Sequence, residues 1–138
     1  MRPFHLAFLV DDLAAARRFY ADVLGCAIGR SSGEWIDFSL FGHQIVAHLA
    51  PRVHEGVVTN IVDGHDVAVP HFGVVLDMQS FDALAARLAD AGVAFVMPPT
   101  TRFTGLIGEQ KTMFFCDPSG NALEFKAFAD DTQLFATD

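Results

Sequence analysis

The sequence is poor in cysteine, in basic residues and in long apolar runs, and each scarcity excludes a class of protein. Cys26 and Cys116 both lie in apolar stretches, which predicts two reduced core thiols, and no paired-cysteine metal motif is present. The chain has nine Lys and Arg residues and 17 Asp and Glu residues, which give a formal net charge of −8. Nucleic acid is therefore not an expected partner. No apolar run approaches the roughly 20 residues that span a bilayer, and the N-terminus makes a poor signal peptide. We therefore expect a cytoplasmic protein with no membrane partner.

Apolar residues, by contrast, are abundant for a chain of 138 residues. Hydrophobic residues make up 51% of the sequence, 14 residues are Phe, and the mean hydropathy is +0.32. A chain of this length builds one domain, or two small halves that share a core. This composition predicts an extensive core, part of which we expect to lie between subunits.

The first half of the chain has a clear order of elements. The strand PFHLAFLV precedes the helix DDLAAARRFYADVLG, which Asp11 or Asp12 can cap and which Gly25 ends. Three short extended segments follow. Residues 51–69 then break the pattern, because their Pro, Gly and Asn residues predict a loop or linker.

The same order restarts in the second half. The strand PHFGVVL leads into the helix MQSFDALAARLADAG, for which Ser80 is the predicted cap and Gly92 the stop. Further strands follow, the last two joined by the tight turn DPSGN. We predict one domain with modules at 1–51 and 70–138 and a linker at 52–69. One helix per half among strands predicts an α+β fold, with helices on one face of a mostly antiparallel, curved sheet.

A histidine stands near the start of the first strand of each half. His5 and His71 are 66 positions apart, and Gly25 and Gly92, which end the two helices, are 67 apart. This spacing indicates an internal duplication. Because alternate residues of a strand share a face, each histidine shares its face with small or aliphatic side chains, as the wall of a pocket would.

Two further strand residues extend this pattern. Glu124 interrupts the apolar last strand between Leu123 and Phe125, and His48 lies near the end of the fourth strand. Taken singly, a strand histidine is usually structural, and Glu124 could face solvent beside Lys126. Taken together, two neutral imidazoles and one carboxylate form a donor set that suits a divalent metal, notably non-haem Fe(II).

The stretches FHLAFLV, DDLAAARRFYADVLG, PHFGVVL and FFCDPSGNALEF together resemble the vicinal oxygen chelate superfamily, the glyoxalase, bleomycin-resistance and dioxygenase group. The resemblance covers roughly residues 3–128. It implies two βαβββ modules that form an open, barrel-like sheet around a divalent metal, with the helices outside. It places metal ligands at His5, His71 and Glu124, and puts His48 at a fourth position where glyoxalase I has a glutamate. It also implies a homodimer.

Three functions stay open, and His48 distinguishes the first two. If His48 is not a metal ligand, three coordination positions of the ion remain for O₂ and for a substrate that chelates through two adjacent oxygens. That arrangement favours an extradiol-type dioxygenase with Fe(II), in which His48 is the acid or base. With His48 bound, a lyase, isomerase, epimerase or thiol transferase using Zn, Ni, Co or Mn is favoured. The third function is a metal-free drug-binding protein, against which the histidines and Glu124 argue.

Two other segments could contact the small-molecule substrate. Residues 101–112 predict a polar, Gly-containing loop whose Arg102, Gln110 and Lys111 could hold an anionic or hydroxylated substrate at the pocket mouth. In the third strand, alternation puts Trp35, Asp37 and Ser39 on one face, and in the fourth it groups Gln44 and Val46 with His48.

Overall fold

The chain is described by a computed structural model that covers residues 1–51, 58–62 and 65–137. It divides into two compact units, each with its own sheet. The first unit comprises Met1–Val69 and Asp117–Asn121, and the second comprises Pro70–Cys116 and Ala122–Asp138.

The first unit combines a four-stranded sheet, one helical stretch and a two-stranded sheet. Its elements, in chain order, are β1 (His5–Val10), α1 (Leu13–Arg17), a π-helical segment (Arg18–Val23), β2 (Ala27–Ser31), β3 (Trp35–Leu40), β4 (His43–Leu49), β5 (Val58–Val62) and β6 (His65–Val69). The sheet has the order β1-β4-β3-β2, in which β1 runs parallel to β4 and the other pairs are antiparallel. Strands β5 and β6 pair with each other, so the segment predicted as a linker contains a two-stranded sheet.

The second unit repeats this plan with an interrupted first strand. Its elements are β7 (His71–Phe72), β8 (Val75–Leu76), α2 (Met78–Asp90), β9 (Phe95–Arg102), β10 (Gln110–Cys116), β11 (Ala122–Phe128) and a 3₁₀ turn (Asp131–Gln133). The order is β7-β11-β10-β9, with β8 also paired to β11; β7 and β8 run parallel to β11, and the remaining pairs are antiparallel. The α+β class with a strand–helix–three-strand order in each half is therefore confirmed.

The apolar face of each sheet is the face that the helices cover. In the second unit Leu123, Phe125 and Ala127 of β11 are fully buried, and α2 buries the stripe that includes Phe81 and Leu88. The alternation in the sequence predicts both features. As a result, Glu124 and the residues in phase with it lie on the opposite face.

The helix boundaries agree with the predicted stops and correct one predicted start. Gly25 and Gly92 both have positive φ, 80° and 74°, as residues that end helices commonly do. The second helix is capped by Asp77, not by Ser80 as predicted. The Asp77 carboxylate accepts hydrogen bonds from the Ser80 N–H at 2.8 Å and from its hydroxyl at 2.9 Å, so the helix begins at Met78, one turn earlier than expected.

A buried polar network joins the π-helical segment to the DPSGN turn. The Tyr20 hydroxyl donates to Asp117 Oδ2 at 2.9 Å, and both residues are buried. The backbone N–H groups of Ser119 and Asn121 also donate to Asp117, and the Asn121 amide donates to the Leu9 carbonyl of β1 at 2.8 Å. Burial, and then the neighbouring Asp117 carboxylate, raise the pKa of Tyr20 well above its ordinary value. The turn is thus part of the first unit's core.

Of the two cysteines predicted to be core thiols, only Cys26 is buried. Cys116, the last residue of β10, is exposed. Among the described residues, no helix combines the length and the apolarity needed to cross a membrane.

Candidate functional site

In the second unit, the sheet face opposite α2 brings two of the predicted ligands together. His71 Nε2 lies 3.1 Å from Glu124 Oε2, with side chains 30% and 13% exposed. Parallel pairing of His71 with Ala122 places Glu124 one step further along the same face. Glu124 is therefore directed at His71 and is not the solvent-facing surface carboxylate that its sequence context also allowed.

Three other side chains hold this pair in place. The buried Thr112 hydroxyl donates to Glu124 Oε1 at 2.7 Å, and Lys126 Nζ lies 3.8 Å from the same oxygen. The His71 ring meets Phe114 edge-on, with ring centroids 5.1 Å apart. One carboxylate oxygen is thus anchored to the sheet, and the other points at the imidazole.

The two residues between β7 and β8 include a glycine, Gly73, that lies against the backbone of Glu124. A side chain on Gly73 would overlap the carbonyl oxygen of Glu124, because the two backbones approach very closely there. Glycine is the residue that permits such an approach. Gly73 therefore lets the strand that carries His71 pass against the backbone of Glu124.

The His71–Glu124 pair has a geometry that fits a divalent ion. Two donors bound about 2.1 Å from one ion, at right angles, lie about 3.0 Å apart. The observed 3.1 Å between Nε2 and Oε2 matches this separation. An imidazole nitrogen and a carboxylate oxygen are also the donor types that Fe(II), Zn and Mn accept. Within the described residues, however, no three His, Cys, Asp or Glu side chains converge as a complete metal-binding group.

In the first unit, His5 lies on the corresponding face and is linked to two polar side chains. His5 Nδ1 lies 2.8 Å from Gln44 Oε1, and Gln44 Nε2 donates to Asp37 Oδ2 at 3.4 Å. His5 and Gln44 are direct partners in the β1–β4 ladder, and Asp37 lies on β3, across from Val46. The strand faces predicted from alternation meet here, and they form a row of polar groups.

The register of β1 and β4 does not bring His48 to His5. His48 pairs with Leu9, four residues along the strand from His5, or about 13 Å. In the second unit His71 pairs with Ala122, and the ligand candidate Glu124 is the next residue on that face. Since His5 pairs with Gln44, the first-unit equivalent of Glu124 is Val46.

The position of His48 itself has a counterpart in the second unit. His48 lies two residues after Val46, and Lys126 lies two residues after Glu124, so His48 corresponds to Lys126. His48 is exposed and pairs with Trp35 on β3. By the repeat of the fold, an aliphatic side chain, Val46, therefore stands where the second unit has Glu124, and His48 lies further along the same face.

The three predicted substrate residues lie on strands, because β9 extends to Arg102 and β10 begins at Gln110. Gln110 is in phase with Thr112 and is buried, and no hydrogen-bond partner for its Oε1 is found in the described part of the chain. The Arg102 guanidinium lies 5.3 Å from the Phe103 ring centroid. Lys111 points to the helix side, where its Nζ contacts Asp82 of α2 at 3.0 Å.

Sequence reasoning missed the residues that support the ligand candidates. Thr112 and Gln44 each touch a candidate ligand, and Gly73 leaves room for one. The sequence carried one signal, since glycine inside a strand marks a close backbone approach. Strand register, which decides the other two contacts, cannot be deduced from a single strand's pattern.

Comparison with known proteins identifies the family. No curated protein matches the chain. Among solved structures, a glyoxalase/bleomycin resistance protein/dioxygenase from Alicyclobacillus acidocaldarius is 36% identical, with 96% of each chain covered and a TM-score of 0.82.

The fosfomycin resistance protein FosX from Listeria monocytogenes is 18% identical, with 94% of this chain and 95% of that chain covered and a TM-score of 0.71. FosX from Mesorhizobium loti is also 18% identical, with 94% of each chain covered and a TM-score of 0.66. At these identities the FosX proteins share the fold. A family model described as Glyoxalase/Bleomycin resistance protein/Dioxygenase superfamily matches residues 2–125, and the chain belongs to this superfamily.

Proposed function

We propose that this protein is a metal-dependent enzyme whose divalent ion is held by His5, His71 and Glu124. The superfamily contains enzymes, and its members generally use divalent metals. The observation that carries the proposal is the 3.1 Å approach of His71 Nε2 to Glu124 Oε2 on the sheet face opposite α2. His5, at the matching place in the first unit's sheet, is the third ligand.

The most specific function we propose is an extradiol-type dioxygenase that uses Fe(II). Two imidazoles and one carboxylate are the donor set of non-haem Fe(II) oxygenases. Val46 stands where the second unit has Glu124, so an ion held by His5, His71 and Glu124 alone would leave room for a substrate with two adjacent oxygens and for O₂. When bound, the ion supplies Lewis-acid polarisation of the substrate oxygens and, as Fe(II), activation of O₂.

The chain's own polar residues then have distinct roles. Thr112 holds one oxygen of Glu124, so the carboxylate keeps the other directed at His71. His48 lies on the same face as His5 but about 13 Å along the ladder, so its role is to accept or return a proton on a part of the substrate that extends away from the ion. Gln110, whose Oε1 has no hydrogen-bond partner in the part of the chain that the structure describes, and Arg102 contact the substrate. Lys111 remains a weaker candidate because its ammonium pairs with Asp82.

Anaerobic loading of the full chain with Fe(II), Zn, Ni, Co or Mn tests the proposal. We expect stoichiometric binding of one ion, which His71→Ala and Glu124→Gln abolish, and oxygen uptake with catechols for the Fe(II) form. Lys111→Ala, whose side chain lies on the helix side of the sheet, is the matched control for ion binding. Failure to bind any of these ions would overturn the proposal.

The loaded protein also separates dioxygenase from non-redox chemistry. Binding of Zn, Ni or Co with turnover of a substrate without oxygen uptake would favour the lyase, isomerase or thiol-transferase alternative. Fosfomycin belongs in the substrate panel because two structural neighbours are FosX proteins. Tight binding of an aromatic drug by a chain that takes no metal would favour a resistance protein of the binding type.

We also propose that the chain forms a homodimer. Several large apolar side chains are exposed, among them Phe4, Leu9, Leu49, Val96 and Leu106. Scattered apolar side chains are normal on a monomer, but this number on a small chain fits a buried interface. A monomer mass from solution scattering would contradict the proposal.

A further inference from the structure

His5 has a hydrogen-bond partner that determines which of its ring nitrogens carries the proton. Gln44 Oε1, 2.8 Å from His5 Nδ1, is a carbonyl oxygen and can only accept a hydrogen bond. The His5 ring must therefore carry its proton on Nδ1. In the neutral imidazole, Nε2 is then left with the lone pair that a metal requires.

The orientation of the Gln44 amide follows from Asp37. An amide oxygen and an amide nitrogen are hard to tell apart by shape, so the neighbours must decide which is which. Asp37 Oδ2 lies 3.4 Å from Gln44 Nε2, and an ionised carboxylate can only accept. The amide nitrogen therefore faces Asp37, and the amide oxygen faces His5.

Asp37 has space on this face because its neighbour on β2 lacks a side chain. A Cβ on Gly29 would lie 3.2 Å from the Cβ of Asp37, tighter than ordinary contact. A continuous chain of hydrogen bonds thus crosses β3, β4 and β1 through Asp37, Gln44 and His5.

The second unit shows that the fold does not require this chain of hydrogen bonds. The equivalent of Gln44 there is Ala122, the partner of His71, and the equivalent of Asp37 is Phe114, the partner of Glu124. His71 is accordingly held by the Phe114 ring and the Glu124 carboxylate. The two histidines occupy matching positions in the duplicated fold, but different types of side chain orient them.

We infer that Gln44, oriented by Asp37, is a positioning residue that holds His5 in the Nδ1–H tautomer and presents Nε2 to the metal. The inference rests on the proposed function for the role of His5 as a ligand. The tautomer itself is a property of the metal-free chain. Partners of this kind orient a ligating histidine, and their loss typically weakens metal affinity about 10–100-fold.

Long-range ¹H–¹⁵N spectra of the metal-free, full-length protein test the tautomer directly. At about pH 8, above the ordinary histidine pKa of about 6.5, the spectra distinguish protonated from unprotonated ring nitrogens. We expect His5 with a protonated Nδ1 in the wild type and loss of this preference in Gln44→Met. Asp37→Leu should weaken the preference, and Asp37→Asn, which keeps an acceptor, should restore it.

His43 supplies an internal control in the same spectra. Its Nδ1 accepts a hydrogen bond from the Phe4 N–H at 2.9 Å, so a neutral His43 has its proton on Nε2. This signature should persist in every variant and would show that β1 and β4 stay paired. An unprotonated Nδ1 at His5 in the wild type, or an unchanged His5 in Gln44→Met, would overturn the inference.

Metal titrations complete the test. We expect the dissociation constant of Gln44→Met to rise about 10–100-fold, with Ser39→Ala, across the ladder from Gln44, unchanged. An unaltered constant in Gln44→Met would refute the positioning role. If the wild type takes up no ion, the proposed function fails, whereas the tautomer spectra still decide whether Gln44 holds the ring.

Discussion

Gly73 lies opposite Glu124 in the parallel ladder of the second unit, with no room for a side chain between the two backbones. Gly73, one of the two residues between β7 and β8, thus allows the strand carrying His71 to reach the strand carrying Glu124. A change at this position tests both the sheet and the candidate ligands.

We expect Gly73→Ala to lower the free energy of unfolding by at least about 1–3 kcal/mol, because the methyl group forces the two strands apart. It should also weaken metal binding, since His71 moves away from Glu124. Urea unfolding and a metal titration measure the two effects. Gly33→Ala is the matched control, because a side chain there would meet no atom within 4 Å. Equal effects of the two substitutions would contradict the steric explanation.

Thr112 should affect metal affinity through its hydroxyl group. Thr112→Val keeps the shape of this buried side chain but removes the donor to Glu124 Oε1. We expect a metal affinity about 10–100-fold lower, because the carboxylate loses its anchor. Competition with a chromophoric chelator measures the change. Thr112→Ser retains the hydroxyl and should stay within a few-fold of the wild type; if it falls as far as Thr112→Val, packing and not the hydrogen bond is responsible.

His48 should prove dispensable for metal binding and required for turnover. The register places it about 13 Å along the ladder from His5. We expect His48→Ala to bind the ion as tightly as the wild type but to lower kcat by roughly 10²–10⁴-fold, the usual contribution of a general acid or base. An affinity loss as large as that of His5→Ala would show that His48 is a ligand after all, and would favour the four-ligand, non-redox chemistry.

Tyr20 should make stability depend on alkaline pH. Its folded-state pKa is raised by burial and by Asp117, whereas in the unfolded chain it is about 10. Above pH 10 the unfolded chain loses the Tyr20 proton and the folded chain keeps it, so the stabilising contribution is complete below that pH and declines as pH rises.

Tyr20→Phe provides the comparison. At neutral pH we expect the variant to be less stable by about 1–2 kcal/mol, since Asp117 loses one of its donors. This difference should shrink between about pH 10 and pH 11, as measured by urea unfolding of both proteins. Lysines titrate in both proteins alike and cancel in the difference. A gap that stays constant or widens over that range would contradict the raised pKa.

Alternation along single strands predicted more of the molecule than any other signal. It placed Glu124 on the face opposite Leu123 and Phe125, which is where it meets His71. It also grouped Gln44 with His48 and separated them from the buried Ile45. These predictions succeed because a strand's period of two depends on local geometry alone.

Contacts that depend on how two strands align cannot be predicted from the alternation within one strand. The pairing of His48 with Leu9, and of His5 with Gln44, follows from the register of β1 against β4, and no pattern within either strand specifies it. The start of α2 was missed for a different reason. Asp77 and Ser80 are both good caps, and only the extended backbone at Asp77 decides between them.

The hydrogen bond from Tyr20 to Asp117 has a consequence for how the chain acquires its structure during synthesis. Tyr20 and Asp117 are 97 positions apart in the sequence. The buried Tyr20 hydroxyl therefore cannot form this hydrogen bond until most of the protein has been synthesised. Contacts of such sequence separation form late and slow the folding of small domains. The amino-terminal module should therefore emerge with an incomplete interior, and cutting the chain after Val69 should yield a fragment that does not fold independently.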